Sequence, residues 1–195
     1  YVADLDALEG VIGRIRERKL LDEDKINSLF PGISIIRQLN TVLLQKLKAG
    51  EPVGKSFARL AGFMKMYIAY CVNVPKAEEL LRQLAKGSNA LRSFLNDVPS
   101  LPGMHQLGIS DFLIKPVQRL CRYPLLLREL LKLTPEDHAD YEEIKRAMNE
   151  LSKTLDAVNE RKRTDEQYDK VVQLAQQLDI EDKSTFITPS RRFIK

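Results

Sequence analysis

The chain of 195 residues carries 31 Lys or Arg against 27 Asp or Glu, a formal net charge of +4, with 44% hydrophobic and 30% charged residues. That balance excludes a disordered or collagen-like chain, and the basic excess is too small to signal nucleic-acid binding unless the cations cluster. Two cysteines fifty residues apart, Cys71 and Cys121, exclude a disulfide-dense secreted scaffold and favour a reducing compartment.

No apolar run approaches the roughly 18 to 20 residues that span a bilayer, and the first residues lack the basic start of a signal peptide. The opening pattern reads instead as a helix already under way, as in a fragment. Tyr1, Leu5, Leu8, Val11, Ile12 and Ile15 recur at intervals of three and four and predict a helix over 1–15. A second stretch opens at Asp22, meets Pro31-Gly32, and resumes from Ile33 through Leu47 to Gly50, so the Pro-Gly pair is an expected break. Beyond Gly50-Glu51-Pro52, the stripe Phe57, Leu60, Ala61, Met64, Ile68 and Cys71 predicts one helix. A separate helix is expected next, with Pro75 near its start and Leu80, Leu81 and Leu84 inside. Ser88 is placed to cap a short helix carrying Leu91, Phe94 and Leu95, which ends in the loop-like Pro99, Pro102 and Gly103. Residues 112–133 predict a Leu-rich helix with Pro116 in its first turn and a kink at Pro124. Thr134-Pro135-Glu136-Asp137 predicts the start of a long helix running without Pro or Gly from Asp137 to about Ile180. At ~1.5 Å per residue it is a rod of roughly 65 Å. With no sustained period-two alternation, the fold class is all-α: an elongated bundle of about six helices with a very long C-terminal helix. The tail from Lys183 to Lys195 leaves the helical pattern and reads as a linker.

Ala49-Gly50-Glu51-Pro52-Val53-Gly54-Lys55-Ser56 fits a loosened phosphate-loop pattern. Such a loop needs a buried strand before it and backbone amides aimed at the anion. Here a helix precedes it and Pro52 removes an amide, so the segment reads as a helix–helix turn. Cys71 and Cys121 have no Cys-x-x-Cys neighbour, and the two histidines stand alone, His105 in the proline-rich loop and His138 in the first turn of the long helix. No metal site, cofactor or nucleophilic constellation emerges. Lys115, Arg119, Arg122, Arg128 and Lys132 do cluster along one helix. Apart from Tyr123 that helix lacks aromatics for base stacking, which favours a protein partner with an acidic or mixed surface over nucleic acid.

The run Leu113-Ile114-Lys115-Pro116-Val117-Gln118-Arg119-Leu120-Cys121-Arg122-Tyr123-Pro124-Leu125-Leu126-Leu127-Arg128-Glu129-Leu130 resembles the third conserved region of Dbl-homology (DH) domains, the guanine-nucleotide exchange factors of Rho-family GTPases. Thr134-Pro135-Glu136-Asp137-His138 and Val158-Asn159-Glu160-Arg161-Lys162-Arg163 resemble the start and middle of that family's long final helix. Phe57 through Asn73 resembles its second conserved region, and Tyr1-Val2-x-Asp4-Leu5 the end of its first motif, Thr-Glu-x-x-Tyr-Val. The resemblance covers nearly the whole chain. It implies a DH domain over 1–183, truncated within its first conserved helix, and a linker over 184–195 leading to a pleckstrin-homology domain that lies beyond the chain and would make any membrane contact.

It also implies a Rho-family small GTPase as partner, no cofactor, no metal, and no covalent chemistry. Such a factor displaces magnesium, reshapes the two switch loops and favours the nucleotide-free GTPase, working in the cytoplasm with recruitment to the plasma membrane. Arg122 stands where the family's basic residue before Tyr-Pro engages the second switch, and Asn159 where an Asn hydrogen-bonds the first. Glu166 matches an acid that pairs with a basic residue of the second switch. Tyr1, Gln118 and Leu125 fall at further contact positions, and Ile114 at a position where Ile leans towards Rac. Leu125, with Leu126 and Leu130, reads equally as core. The motif's Glu would lie three residues before Tyr1, so a fragment without it is expected to exchange far more slowly than one restoring it. Two rival readings stand beside this one: a non-catalytic helical scaffold that binds a GTPase, and a nucleotide-hydrolysing enzyme built on Gly54-Lys55-Ser56.

Overall fold

In the computed structural model, which describes residues 1–178 and Ile187, the first apolar stripe folds as α1 (Val2–Glu17), burying Leu5, Leu8, Val11, Ile12 and Ile15. Asp22 caps α2 (Glu23–Leu29) by accepting from the Lys25 amide at 2.9 Å. The expected break at Pro31-Gly32 is present. Gly32 takes φ +71°, a left-handed angle that glycine adopts at little cost, and turns the chain into α3 (Ile33–Lys48). α3 closes on Gly50, whose N–H donates to Leu47 O while the Glu51 N–H donates to Lys46 O.

The next stretch departs from the expected pair of helices. α4 (Val53–Leu60) gives way to a 3-10 turn over Ala61–Lys65, and α5 (Met66–Gly87) then runs uninterrupted through Pro75. Winding at three residues per turn sets Ala61 and Met64 on one side, where both are buried, and leaves Gly62 and Phe63 exposed. No new helix starts near Pro75. A proline inside a helix costs about 3 kcal/mol, but Tyr70, Cys71 and Val74 before it and Ala77 and Leu81 after it are all buried. Each large apolar side chain so buried returns about 1.5–3 kcal/mol.

α6 (Asn89–Asp97) is capped by Ser88, which accepts from the Leu91 amide at 3.2 Å. A 3-10 turn at Val98–Ser100 and a loop lead to α7 (Ile109–Leu113) and α8 (Lys115–Lys132), which continues past the buried Pro124. α9 (Tyr141–Gln177) has 37 residues, about 55 Å at ~1.5 Å per residue. It begins four residues later than the Thr-Pro-Glu-Asp signal predicts. Thr134 Oγ1 donates back to Leu130 O at 2.7 Å, so it finishes α8 instead of capping α9. Backbone bonds from His138 to Pro135 O and from Tyr141 to His138 O occupy the residues between as turns. The expected end near Ile180 and, Ile187 apart, the linker over 184–195 lie outside the described residues. Among the described residues every regular element is helical, in nine α-segments.

The phosphate-loop pattern has a structural answer at the start of α4. The amides of Gly54 and Lys55 point at an anion, and the anion is the chain's own Asp140 carboxylate, at 2.6 and 2.9 Å. The crossing is close: a Cβ on Gly54 would lie 2.4 Å from Ile144 N and 2.9 Å from Asp140 O. α9 also packs along α5 and α8, around a core whose largest fully buried side chains include Tyr67, Tyr70, Tyr123 and Phe112.

Candidate functional site

Leu120, Tyr123, Pro124 and Leu127 turn one side of α8 into the core. The helical period then carries Gln118, Arg122 and Leu125, at i, i+4 and i+7, to the opposite side. All three are exposed, Leu125 by 54% and its neighbour Leu126 by 55%, so those two leucines belong to the surface; Leu130 is half-buried. Ile114 sits half-buried at the junction of α7 and α8.

The basic cluster of the sequence is not one free patch. Lys115 pairs with Asp4 at 3.1 Å and lies over the Phe112 ring, 3.8 Å from its centroid. Arg119 is held between the rings of Tyr1 and Tyr123, at 5.5 and 5.0 Å. Lys132 pairs with Glu129 at 2.8 Å. Among the described residues, Arg122 and Arg128 have no such partner and remain available.

On α9, Val158 is buried and Asn159 beside it is exposed, with no partner among the described residues. Glu166, two turns on, is also exposed and lines a groove with Val72, Pro75 and Leu80 of α5. The carboxylate next to it, Asp165, is held by Lys76 and Arg161, both at 3.2 Å. Cys71 of α5 is buried in the core: burial pushes its thiol up to about 12, the Lys162 ammonium pulls it back, and Cys121 raises it further. α8 and α9 pack against each other, so the Arg122 and Asn159 turns lie on neighbouring helices.

Tyr1 points inward. Its side chain is 10% exposed, and its hydroxyl lies 3.0 Å from that of Tyr67. Asn40 Nδ2 donates to Tyr67 Oη and to Ile36 O, both at 2.7 Å, and Tyr123 Oη donates to Asn40 Oδ1 at 2.7 Å. A second buried hydroxyl, of Tyr70, donates to Leu113 O at 2.9 Å, just before Ile114. Burial raises the pKa of all four tyrosines above the ordinary phenol value. The sequence offered one sign of this network: Asn40 stands in the apolar stripe of Ile36, Leu43 and Leu47, where a polar residue needs a partner. For Asp140 there is no local sign, because its amide partners lie 86 and 85 residues away.

The candidate contact residues on α8 and α9 offer solvent a guanidinium, two carboxamides, a carboxylate and a leucine. The chain belongs to the RhoGEF domain family, whose model matches residues 1–159. The myosin-M heavy chain of Dictyostelium discoideum is 36% identical over 187 residues, covering 92% of this chain and 11% of that protein. The RhoGEF domain-containing protein gxcJ of the same organism is 34% identical over 195 residues, covering 100% of this chain and 17% of gxcJ. This chain therefore spans less than a fifth of either relative. In fold it resembles the structure of human RhoA in complex with a DH/PH fragment of PDZRHOGEF, at a TM-score of 0.75 and 21% identity, over 87% of this chain and 52% of that one.

Proposed function

We propose that this chain binds a Rho-family small GTPase, remodels its switch regions and promotes release of GDP so that GTP can enter. One observation carries the reading: in a RhoGEF domain, Arg122 and Asn159 stand exposed on two helices packed against each other, with no partner among the described residues. Arg122 engages the second switch, Asn159 hydrogen-bonds the first, and Glu166 meets a basic residue of the second. Gln118 and Leu125 extend the contact along α8, while Tyr1 acts from within by holding the start of α1. Ile114 tilts the preference towards a Rac-like partner. The RhoA complex of the PDZRHOGEF fragment supports a Rho-family partner in general.

Exchange of this kind makes and breaks no covalent bond. A factor that binds the empty GTPase more tightly than the loaded one weakens nucleotide binding by the same ratio, each tenfold corresponding to about 1.4 kcal/mol. In the whole protein, residues 1–183 form the exchange domain and 184–195 lead to a pleckstrin-homology domain, through which it is recruited from the cytoplasm to the plasma membrane.

The test is release of a fluorescent guanine nucleotide from a panel of Rho-family GTPases, with the chain as given and with the motif's Glu restored ahead of Tyr1. Acceleration on a Rac-like member, stronger with the Glu and lost in Asn159→Ala, supports the proposal. A stable complex without acceleration in either form makes the chain a scaffold instead.

A further inference from the structure

The two elements that bear the first and third conserved regions are not held together mainly by packing on each other. α1 packs on α3 and α7, whereas α8 packs on α9, α5 and α7. What joins the Tyr1 end of α1 to the Arg122 turn of α8 is a set of side chains crossing the core. The Lys115–Asp4 pair and the Arg119 guanidinium between two rings are partly exposed and only loosely directional. The hydrogen-bonded chain Tyr1–Tyr67–Asn40–Tyr123 is buried and directional.

Asn40 is the hub of that chain. Its side chain is 2% exposed, and its carboxamide makes three bonds at 2.7 Å, to its own helix at Ile36 O, to Tyr67 on α5 and to Tyr123 on α8. Both amide hydrogens and the oxygen are thereby used, and the third bond ends on the residue directly after Arg122. A polar group so placed buries no apolar area that leucine would not bury better. What it adds is geometry: a slip of α8 against α3 would break a bond that water cannot replace.

We propose that Asn40 is a positioning residue for nucleotide exchange, fixing the start of α1 and the Arg122 turn of α8 as one surface through Tyr67 and Tyr123. This rests on the exchange reading above, and its geometric half is measurable without it. Cys121 is exposed and Cys71 is buried, so spin labels on Cys121 and on Ala3→Cys report the α1–α8 distance directly. Asn40→Ala leaves the Lys115–Asp4 pair and the stacked Arg119 in place. Ser88→Ala, which removes the α6 cap, is the control for stability loss alone.

At a temperature where every variant is folded, Asn40→Ala broadens the interspin distribution and lowers the exchange rate at saturating chain about tenfold, in keeping with the sensitivity of such steps to ångström misplacement. Tyr123→Phe, which keeps the ring and removes one bond, shows the same effects in smaller degree. Ser88→Ala, with a comparable fall in unfolding temperature, changes neither. An unaltered distribution in Asn40→Ala overturns the proposal, as does a broadened one with the wild-type rate. A narrow wild-type distribution without exchange on any GTPase defeats the exchange reading, and the proposal falls with it as a statement about catalysis.

Discussion

Arg122 and Asn159 are polar residues that the fold itself does not use. Neither has an intramolecular partner among the described residues, so replacing either leaves the core and the caps untouched. Arg122→Ala is expected to weaken binding to the nucleotide-free GTPase by about 2 kcal/mol, roughly thirtyfold, with an unchanged urea midpoint. Titration of the GTPase alongside urea unfolding checks both halves, and a shifted midpoint would mean that the side chain is structural. Gly54 is the opposite kind of residue. Its missing Cβ is what lets α4 cross the start of α9, so Gly54→Ala is expected to lower stability by about 1–3 kcal/mol through overpacking. The sequence showed that glycine as part of a phosphate-loop look-alike; the backbone it must avoid lies near residue 140 and could not be seen locally.

The junction of α4 and α9 depends on one carboxylate. Asp140 satisfies two helix N-terminal amides, one of them buried, and removing it leaves both without an acceptor. Asp140→Ala is expected to cost about 3 kcal/mol and to raise amide exchange at Gly54 and Lys55 before the rest of α4, which hydrogen-exchange mass spectrometry reads. Uniform protection in the variant would show that packing alone holds the junction. The start of α9 lies four residues beyond its local signal. Thr134 and Asp137 carry the local signature of a cap, yet Thr134 bonds backwards to α8. α5 shows how packing overrides local signals: Pro75 looks like a helix start, and burial on both sides of it decides for one continuous helix. The Pro31-Gly32 break and the Ser88 cap were legible because each is completed within a few residues of itself.

Across the whole molecule, four tyrosines from α5, α8 and the start of α1 share one interior. Each has an ordinary value of 10.0. Burial raises each in the native state, so above that pH the unfolded chain ionises and the folded chain does not. The unfolded state then binds fewer protons, and stability falls as pH rises. The contribution of these groups is complete below about pH 10 and is lost above it. Buried Cys71, raised from 9.0 to about 12, adds to the same loss beginning near its own ordinary value. Urea unfolding is therefore expected to show a midpoint that drops steeply above about pH 10, with the tyrosinate absorbance of the buried rings appearing only as the chain unfolds. Their ionisation in the native state would mean that the interior is open to hydroxide.

The sequence by itself determined that the fold is all-α with a long final helix, since apolar spacing of three and four is a local property of each segment. It also carried the motifs of the RhoGEF domain family around Arg122 and Asn159. Only the tertiary structure decided that Leu125 and Leu126 are surface, that Lys115 and Arg119 are occupied internally while Arg122 has no partner among the described residues, and that Tyr1 faces inward. Those outcomes depend on which helix lies across which. The same is true of Asn40 and Asp140, whose hydrogen-bond partners on other helices lie tens of residues away and meet them only once the helices are packed.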